Sequence, residues 1–215
     1  MRKLELRQVT LSIAGQRLLG PVDVSVAPGQ IVTVMGPSGA GKSSLLAYLC
    51  GVLPDDFSAQ GRVLLGDDDI TRLPPEARHL GILFQDDLLF PHLSVAGNLA
   101  FGLPRKQHSR KERARLIGDA LESFGLAGFA SRDPATLSGG QRARVALLRT
   151  LLSQPRALLL DEPFAHLDPA TRDTVRMLVV DEVRRRALPT LLVTHDEEDA
   201  RFAAGPIIKL RTLVS

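Results

Sequence analysis

The chain has 215 residues, of which 44% are apolar, enough to bury a substantial core, and this predicts one domain or one domain that carries an insert. Its one cysteine, Cys50, excludes an intramolecular disulfide and a multi-cysteine metal cluster, and we interpret it as a buried apolar residue. A formal net charge of +3 is too mild to indicate a nucleic acid partner, so we predict none.

The N-terminal residues 1–14 lack the continuous apolar core of a signal peptide. No run approaches the roughly 18 apolar residues of a membrane-spanning helix. We therefore expect a cytosolic chain that reaches a membrane through a partner or through its surface.

The first elements predict an antiparallel layer. Residues 4–13 alternate polar and apolar side chains, with a change of phase at Arg7 and Gln8 that indicates a bulge. Residues 23–26 and 62–65 indicate further strands of this layer.

A different pattern begins at Ile31. Five short runs are apolar on both faces, as in a parallel sheet covered by helices: 31–35, 80–84, 157–160, 190–193 and 207–210. Helical patterns are found at 43–49, 109–124 and 142–152. Strand signals are missing between 88 and 135, so we predict a core of 1–87 and 136–215 with a helical insert at 88–135.

A glycine-rich segment follows the first buried strand and matches the phosphate-binding P-loop pattern. Its glycines let the backbone approach phosphate oxygens, and the following helix start offers unpaired N–H groups. Lys42 is predicted to neutralise the β and γ phosphates, and Ser43 to ligate Mg²⁺. The predicted phosphate-binding residues are Gly36, Pro37, Ser38, Gly39, Ala40, Gly41, Lys42, Ser43 and Ser44.

Two carboxylates, Asp161 and Glu162, follow the buried run 157–160. They lie where open α/β sheets bind ligands, at the carboxyl end of a strand. Asp161 can hold Mg²⁺, directly or through water, which leaves Glu162 to orient or deprotonate an attacking water.

A second serine- and glycine-rich segment precedes the helix predicted at 142–152: Leu137, Ser138, Gly139, Gly140 and Gln141. Such a helix start suits an anion, although on its own it could equally be an ordinary helix cap. One nucleotide does not obviously need two cradles. Two chains packed head to tail would use both, with the Ser138 segment of one capping the γ phosphate held by Lys42 of the other.

In their order along nearly the whole chain, these motifs resemble the ATP-hydrolysing subunits of ATP-binding-cassette (ABC) transporters. Gln85 resembles the family's glutamine loop, Leu167-Asp168 the loop that crosses the dimer interface, and His195 the histidine that contacts the γ phosphate. The resemblance implies ATP and Mg²⁺ as cofactors. It implies that Glu162, His195, Gln85 and Lys42 are catalytic, and that Ser43, Gln85 and Asp161 bind the metal.

The resemblance also implies a P-loop NTPase fold of the α/β class, with a mainly parallel core sheet, an N-terminal antiparallel layer and a helical insert. Its implied partners are a second copy of the chain, permease subunits at the cytoplasmic face of the plasma membrane and, indirectly, a solute-binding protein. Larger members of the family continue into a β-rich regulatory domain, which we expect to be absent.

Residues 84–103 resemble the subunits that serve importers of thiamine, iron(III) and polyamines. This resemblance implies that Phe90, Leu93 and Phe101 line a groove for a permease helix, unless they are core of the insert. The alternatives are an exporter or lipoprotein-release subunit, a soluble ABC ATPase acting on DNA or ribosomes, and a non-catalytic adaptor.

Several positions depart from the family pattern. Ile13 stands where an aromatic residue usually stacks on adenine, and Ala165-His166 replaces small or amide residues. We interpret His92 and His166 as surface or interface residues without a metal. The basic run 105–115 is either a solvated helix face or a contact with acidic lipids or the permease.

Overall fold

Strand β1 (Leu4–Ile13) organises the first sheet of the computed structural model, which describes residues 2–104 and 109–210. It pairs antiparallel with β2 (Gln16–Val26) and with β4 (Phe57–Leu65), and the short β5 (Asp68–Asp69) completes the order β2-β1-β4-β5. Both ladders shift register next to Gln8, whose φ is 51°. The predicted bulge is confirmed.

Strands β2 and β4 begin earlier than predicted, at residues 16 and 57 instead of 23 and 62. The alternation that would reveal β2 is broken at Gly20-Pro21, and residues 58–60 of β4 are exposed and lack an apolar face. Strands β2 and β4 lie on either side of β1, and both segments are strands because they pair with it. Their own sequence patterns therefore underestimate their length.

The second sheet is parallel where its pairing is described, and its five strands follow the order β6-β7-β8-β3-β9. They are β3 (Ile31–Met35), β6 (Leu80–Leu83), β7 (Ala157–Asp161), β8 (Thr190–Thr194) and β9 (Ile207–Lys209). All five predicted strands are confirmed within one residue at each end. Strand β6 stops before Phe84, whose side chain is exposed.

The helices include the three that the sequence predicts. They are α1 (Lys42–Cys50), α2 (Pro75–Arg78), α3 (Val95–Gly102), α4 (Arg110–Ser123), α5 (Gly139–Leu152), α6 (Pro169–Arg186) and α7 (Glu197–Ala203), with a 3-10 turn at Pro134–Thr136. Helix α5 begins at Gly139 instead of residue 142, because Ser138 caps it. Within the two described ranges, none of these helices has the length and apolar character needed to cross a membrane.

The chain divides into two compact units. The first comprises the chain up to Ile82, Arg156–Glu162 and the chain from Val180, and the second comprises Leu83–Pro155 and Pro163–Val179. In the first unit one core joins residues of both sheets and α1, among them Leu6, Leu11, Val34, Leu45, Leu49 and Leu159. The predicted insert 88–135 lies wholly within the second unit.

A buried arginine fixes the end of α1 in the first unit. The Arg78 guanidinium donates to the carbonyl oxygens of Tyr48 and Leu49, at 2.7 Å each, and to those of Thr71 and Leu73. Carbonyls of the last helical turn have no partner within the helix, so Arg78 supplies donors to them, in addition to the turn at Gly51 that also pairs the carbonyl of Tyr48. The helix that follows the P-loop is therefore anchored at its far end.

Helix α3 packs against α5 in the second unit. The fully buried Asn98 accepts from the N–H of Phe90 and donates to the carbonyls of Phe90, Leu93 and Ser94. A Cβ at Gly102 would lie 2.2 Å from a backbone oxygen of α5, so only glycine allows this close approach. These contacts fix the turn that carries Phe90.

Two minor predictions concern Cys50 and the basic run. Cys50 is partly buried, and burial raises the pKa of its thiol to about 11, consistent with an unreactive packing residue. Residues 105–108 of the basic run lie outside the described residues. Farther along the run, Arg113 donates to the carbonyl of Leu103 and Arg115 pairs with Asp119, so these two arginines make intramolecular contacts.

Candidate active site

The P-loop connects β3 to α1 and depends on glycine at its end. Gly39 and Gly41 have φ values of 80° and 82°, in the region that favours glycine. A Cβ at Gly41 would lie only 2.6 Å from a methyl group of Leu19. The loop can therefore close onto the start of α1 only when residue 41 has no side chain.

Lys42 is buried inside this loop, with 7% of its side chain exposed. Its ammonium donates to the carbonyl oxygens of Gly36 at 2.9 Å and Pro37 at 3.0 Å, and lies 4.0 Å from Oε1 of Glu162. A buried ammonium needs such partners, because burial without them is costly. The positive charge is thus held where the loop curves, beside a helix start that favours anions.

Ser43 and Asp161 come together at the first turn of α1. The Ser43 hydroxyl donates to Oδ1 of Asp161 at 3.3 Å. Burial raises the pKa of Asp161, and the hydrogen bond from Ser43 opposes that shift. A hydroxyl and a carboxylate are hard oxygen ligands, and a divalent cation would offset the cost of burying the carboxylate, so these two residues fit Mg²⁺.

Glu162 adopts a left-handed backbone conformation with φ of 46°, which is uncommon for a residue with a long side chain. Its N–H donates to the carbonyl of Val193, so β8 holds the backbone at this turn. Its Oε2 lies 3.0 Å from Nδ1 of His195. One carboxylate is therefore placed between the ammonium of Lys42 and the imidazole of His195.

The loop that carries His195 is anchored by a residue that the sequence analysis missed. Asp199 has 4% exposure and accepts from the Thr194 hydroxyl at 2.9 Å, and the same hydroxyl accepts from the N–H of Asp196. The side chain of His195 is 63% exposed. In the sequence, Asp199 is an acidic residue on an apolar helix face near the end of a strand. This pattern does not predict a role for Asp199 unless its hydrogen-bond partner, the Thr194 hydroxyl, is known.

The signature segment forms a capping box. The Ser138 oxygen accepts from the N–H of Gln141, and the Gln141 side chain accepts from the N–H of Ser138. A Cβ at Gly140 would lie 2.0 Å from the Thr171 methyl, so a side chain there would force Thr171 to move. Ser138 is thus a helix cap, as one alternative held, and its contact with a γ phosphate stays a prediction.

Gln85 meets a histidine that the sequence analysis placed at the surface or an interface. The amide nitrogen of Gln85 lies 3.2 Å from Nε2 of His166, and Nδ1 of His166 lies 3.5 Å from Oδ1 of Asp86. The three residues line a cavity of about 370 Å³ together with Gly139 and Arg142. No sequence signal links positions 85 and 166, which lie far apart in the chain.

Ile13 ends β1 and is partly buried. On the neighbouring strand it is paired directly with Phe57, an aromatic residue that the sequence analysis did not single out. Residues directly opposite each other in an antiparallel ladder place their side chains on the same face of the sheet. Phe57 could have been identified only from the register between β1 and β4, and the sequence pattern did not predict the start of β4.

The predicted site residues thus fall into two groups, each inside one unit. The first unit brings together the P-loop, Asp161, Glu162 and His195, and the second contains Gln85 and the signature segment. The family profile described as ABC transporter matches residues 19–165, which include all these motifs except His195. The chain belongs to the ABC transporter family of ATPases.

Relatives in this family share much of the sequence. The chain is 51% identical over 194 residues to the uncharacterized ABC transporter ATP-binding protein YnjD of Escherichia coli, covering 90% of this chain and 89% of YnjD. It is 40% identical over 204 residues to the putrescine transport ATP-binding protein PotG of E. coli, covering 95% of this chain and 53% of PotG. For the Fe(3+) ions import ATP-binding protein FbpC of Streptomyces avermitilis, the identity is 39% over 208 residues, which cover 97% of this chain and 59% of FbpC.

This ABC ATPase therefore matches YnjD over most of both chains but spans only a little more than half of PotG and FbpC. Among solved structures, the dimeric MJ0796, described as a bacterial ABC transporter cassette, superposes with a TM-score of 0.80 and 31% identity, over 97% of this chain and 94% of that one. The predicted fold class is confirmed.

We expect Lys42→Ala in this ABC ATPase to weaken ATP binding by about 10- to 100-fold, since a charge-assisted hydrogen bond is worth roughly 1.5–3 kcal/mol. Turnover should fall at least as far. Titration calorimetry and phosphate release measure the two effects. Lys111→Ala, which removes an exposed ammonium on α4, serves as the control, and equal activity in both variants would refute the phosphate role of Lys42.

Proposed function

We propose that this chain binds and hydrolyses ATP as one half of a head-to-tail dimer, and that hydrolysis powers uptake of a small solute through a membrane permease. The observation that carries the catalytic part is the position of Glu162, whose two oxygens lie 4.0 Å from the Lys42 ammonium and 3.0 Å from the His195 ring. The import direction is supported by the name of FbpC, an Fe(3+) ions import ATP-binding protein.

In the proposed reaction, Lys42 exchanges its two loop carbonyls for the β and γ phosphate oxygens. Ser43 and Asp161 would hold Mg²⁺, which supplies positive charge to the phosphates when bound. Glu162 accepts the proton of the attacking water or orients it, and His195 holds the carboxylate in that orientation.

The second chain enters because the signature segment offers another helix start. Ser138 and Gln141 satisfy each other's N–H groups, which leaves the N–H groups of Gly139 and Gly140 as donors at the amino end of α5. The dimeric MJ0796 cassette supports a two-chain arrangement. In this dimer each ATP would be clamped between Lys42 of one chain and Ser138 of its partner.

Glu162→Gln keeps the shape of the side chain but removes the base, so ATP should bind and remain largely intact. We expect this variant to run as a dimer with ATP in size-exclusion chromatography and as a monomer without it. Adding Ser138→Arg should abolish the dimer, because the larger side chain obstructs the helix start.

A mixture tests whether the two cradles act in trans. Glu162→Gln/Ser138→Arg protein mixed with Glu162→Gln/Lys42→Ala protein should recover one complete site per heterodimer, and with it some association that depends on ATP. If Glu162→Gln protein stays monomeric at high protein and ATP concentrations, isolated chains do not form the proposed clamp and only the permease could hold them together.

For adenine, we propose that Phe57 supplies the aromatic surface that Ile13 lacks. The two residues oppose each other in the first sheet, and the neighbouring strand β2 carries Leu18 and Leu19 against the P-loop position Gly41. The Ile13–Phe57 pair is therefore on the same sheet as the residues that support the phosphate loop. A phenyl ring can stack on a base, whereas an isoleucine offers only contact area.

Phe57→Ala should weaken ATP binding by roughly 1–2 kcal/mol, the range for loss of one stacking partner, and should leave binding of inorganic triphosphate unchanged. Ile13→Tyr should tighten ATP binding by up to roughly 1 kcal/mol. Calorimetry measures both, with Phe129→Ala, in the other unit, as the matched control. Equal loss of ATP and triphosphate affinity would assign Phe57 to folding instead.

The proposed permease contact centres on exposed apolar side chains of the second unit. Phe101 is 66% exposed and meets the partly buried Phe90 edge to face at 4.8 Å, and Phe84 and Leu88 are exposed as well. Leu93 lies next to Gly97 and is half-buried, so it is less accessible than Phe101. An amphipathic permease helix could lie on this aromatic surface with its apolar face.

Phe101→Glu should abolish solute uptake while leaving the ATPase activity of the isolated chain unchanged, because the substitution changes only exposed apolar surface. The measurement is solute uptake in cells that express the chain together with its permease, once that permease has been found by co-purification. Met177→Glu, a substitution at another exposed apolar residue, on α6, is the control. Normal uptake in Phe101→Glu cells would exclude this docking surface, and outward transport would favour the exporter alternative.

A further inference from the structure

His166 connects two segments that contribute to the proposed composite site. Its side chain reaches the amide of Gln85, at 3.2 Å. Its backbone passes the start of the signature helix, since a Cβ at Gly139 would lie 3.9 Å from the carbonyl oxygen of His166. His166 thus lies in the second unit with its ring toward the glutamine loop and its backbone beside the signature segment.

One arrangement of protons satisfies both contacts of the ring. With a proton on Nδ1, the imidazole presents an N–H to Oδ1 of Asp86, 3.5 Å away, and an acceptor lone pair on Nε2 to the amide nitrogen of Gln85. The amide then donates to the ring through its nitrogen. Its oxygen, which is the only atom of that side chain that can ligate a cation, is then not used in the contact with the ring.

We propose that His166 is a positioning residue for Gln85, which it holds with the amide oxygen available to the Mg²⁺ of the nucleotide, and that Asp86 fixes the tautomer this requires. The proposal rests on the proposed role of Gln85 as a metal ligand. The physical principle is that an outer partner fixes which atom of a ligand faces the metal, and so raises the fraction of protein ready to bind it.

The contact itself is tested in the nucleotide-free chain by nitrogen-15 NMR. The side-chain amide signal of Gln85 is assigned by its loss in Gln85→Ala. We expect His166→Ala to shift this signal and to speed its exchange with solvent, and His166→Gln, which keeps an acceptor oxygen at similar reach, to restore most of the change. An unchanged amide signal in His166→Ala would overturn the proposal.

The consequence for metal binding is tested without turnover, in the Glu162→Gln background. ATP affinity is measured by calorimetry in EDTA and again with Mn²⁺ as the probe, and the gain caused by the metal is the readout. His166→Ala should reduce this gain by roughly 2- to 10-fold, the range for one hydrogen bond, and should leave the affinity in EDTA unchanged. A general structural defect would lower both affinities together.

A double substitution separates this inference from the proposal on which it rests. If Gln85→Ala leaves the metal-dependent gain unchanged, Gln85 is not a ligand and the proposed metal site is wrong at that position. If Gln85→Ala reduces the gain, His166→Ala should have no further effect in that background. An equal effect of His166→Ala with and without Gln85 would mean that His166 acts elsewhere, and the positioning role would be refuted.

Discussion

The buried ammonium of Lys42 determines how the rest of the catalytic region is arranged. A charge with 7% exposure must be compensated, and two P-loop carbonyls and the Glu162 carboxylate provide that compensation. The loop can bring its carbonyls to the ammonium only because Gly41 adopts a positive φ and carries no side chain against Leu19. In the proposed reaction, phosphate binding would therefore replace interactions that Lys42 already makes with the backbone of its own chain.

The two neighbouring carboxylates differ in their surroundings, although they are adjacent in sequence. Asp161 ends a buried strand and bonds a hydroxyl, and burial raises its pKa, so a cation there relieves an unfavourable burial. Glu162 has a positive φ, so the chain turns out of the strand at this residue, and its carboxylate lies between a lysine and a histidine. A strained backbone at one residue would thus separate the proposed metal ligand from the proposed base, consistent with strain being retained where function requires it.

The parallel strands, the helices around the P-loop and the P-loop itself could be predicted from sequence, because each depends on a local pattern of apolar residues or glycines. The early start of β4 could not, since residues 58–60 are exposed and become a strand only by pairing with β1. Phe57 was overlooked for the same reason, because its pairing with Ile13 depends on that register. The contact of Gln85 with His166 joins distant positions and has no local sequence pattern. What escaped prediction is mainly pairing between segments that are far apart in the chain.

These long-range contacts differ in strength according to burial, and the difference has a functional meaning. Lys42 and Asp199 are almost fully buried and hold the phosphate loop and the histidine loop, so moving them would expose or unpair buried polar groups. The side chains of His195 and His166 are 63% and 60% exposed, and their contacts with Glu162 and Gln85 compete with water. The two histidines for which we propose roles at the nucleotide are therefore held by weak, exchangeable interactions, whereas the residues that fix their loops are buried. A substitution at a buried residue such as Lys42 or Asp199 should impair the fold together with function. A substitution at an exposed contact should alter the response to ATP or metal while the fold persists.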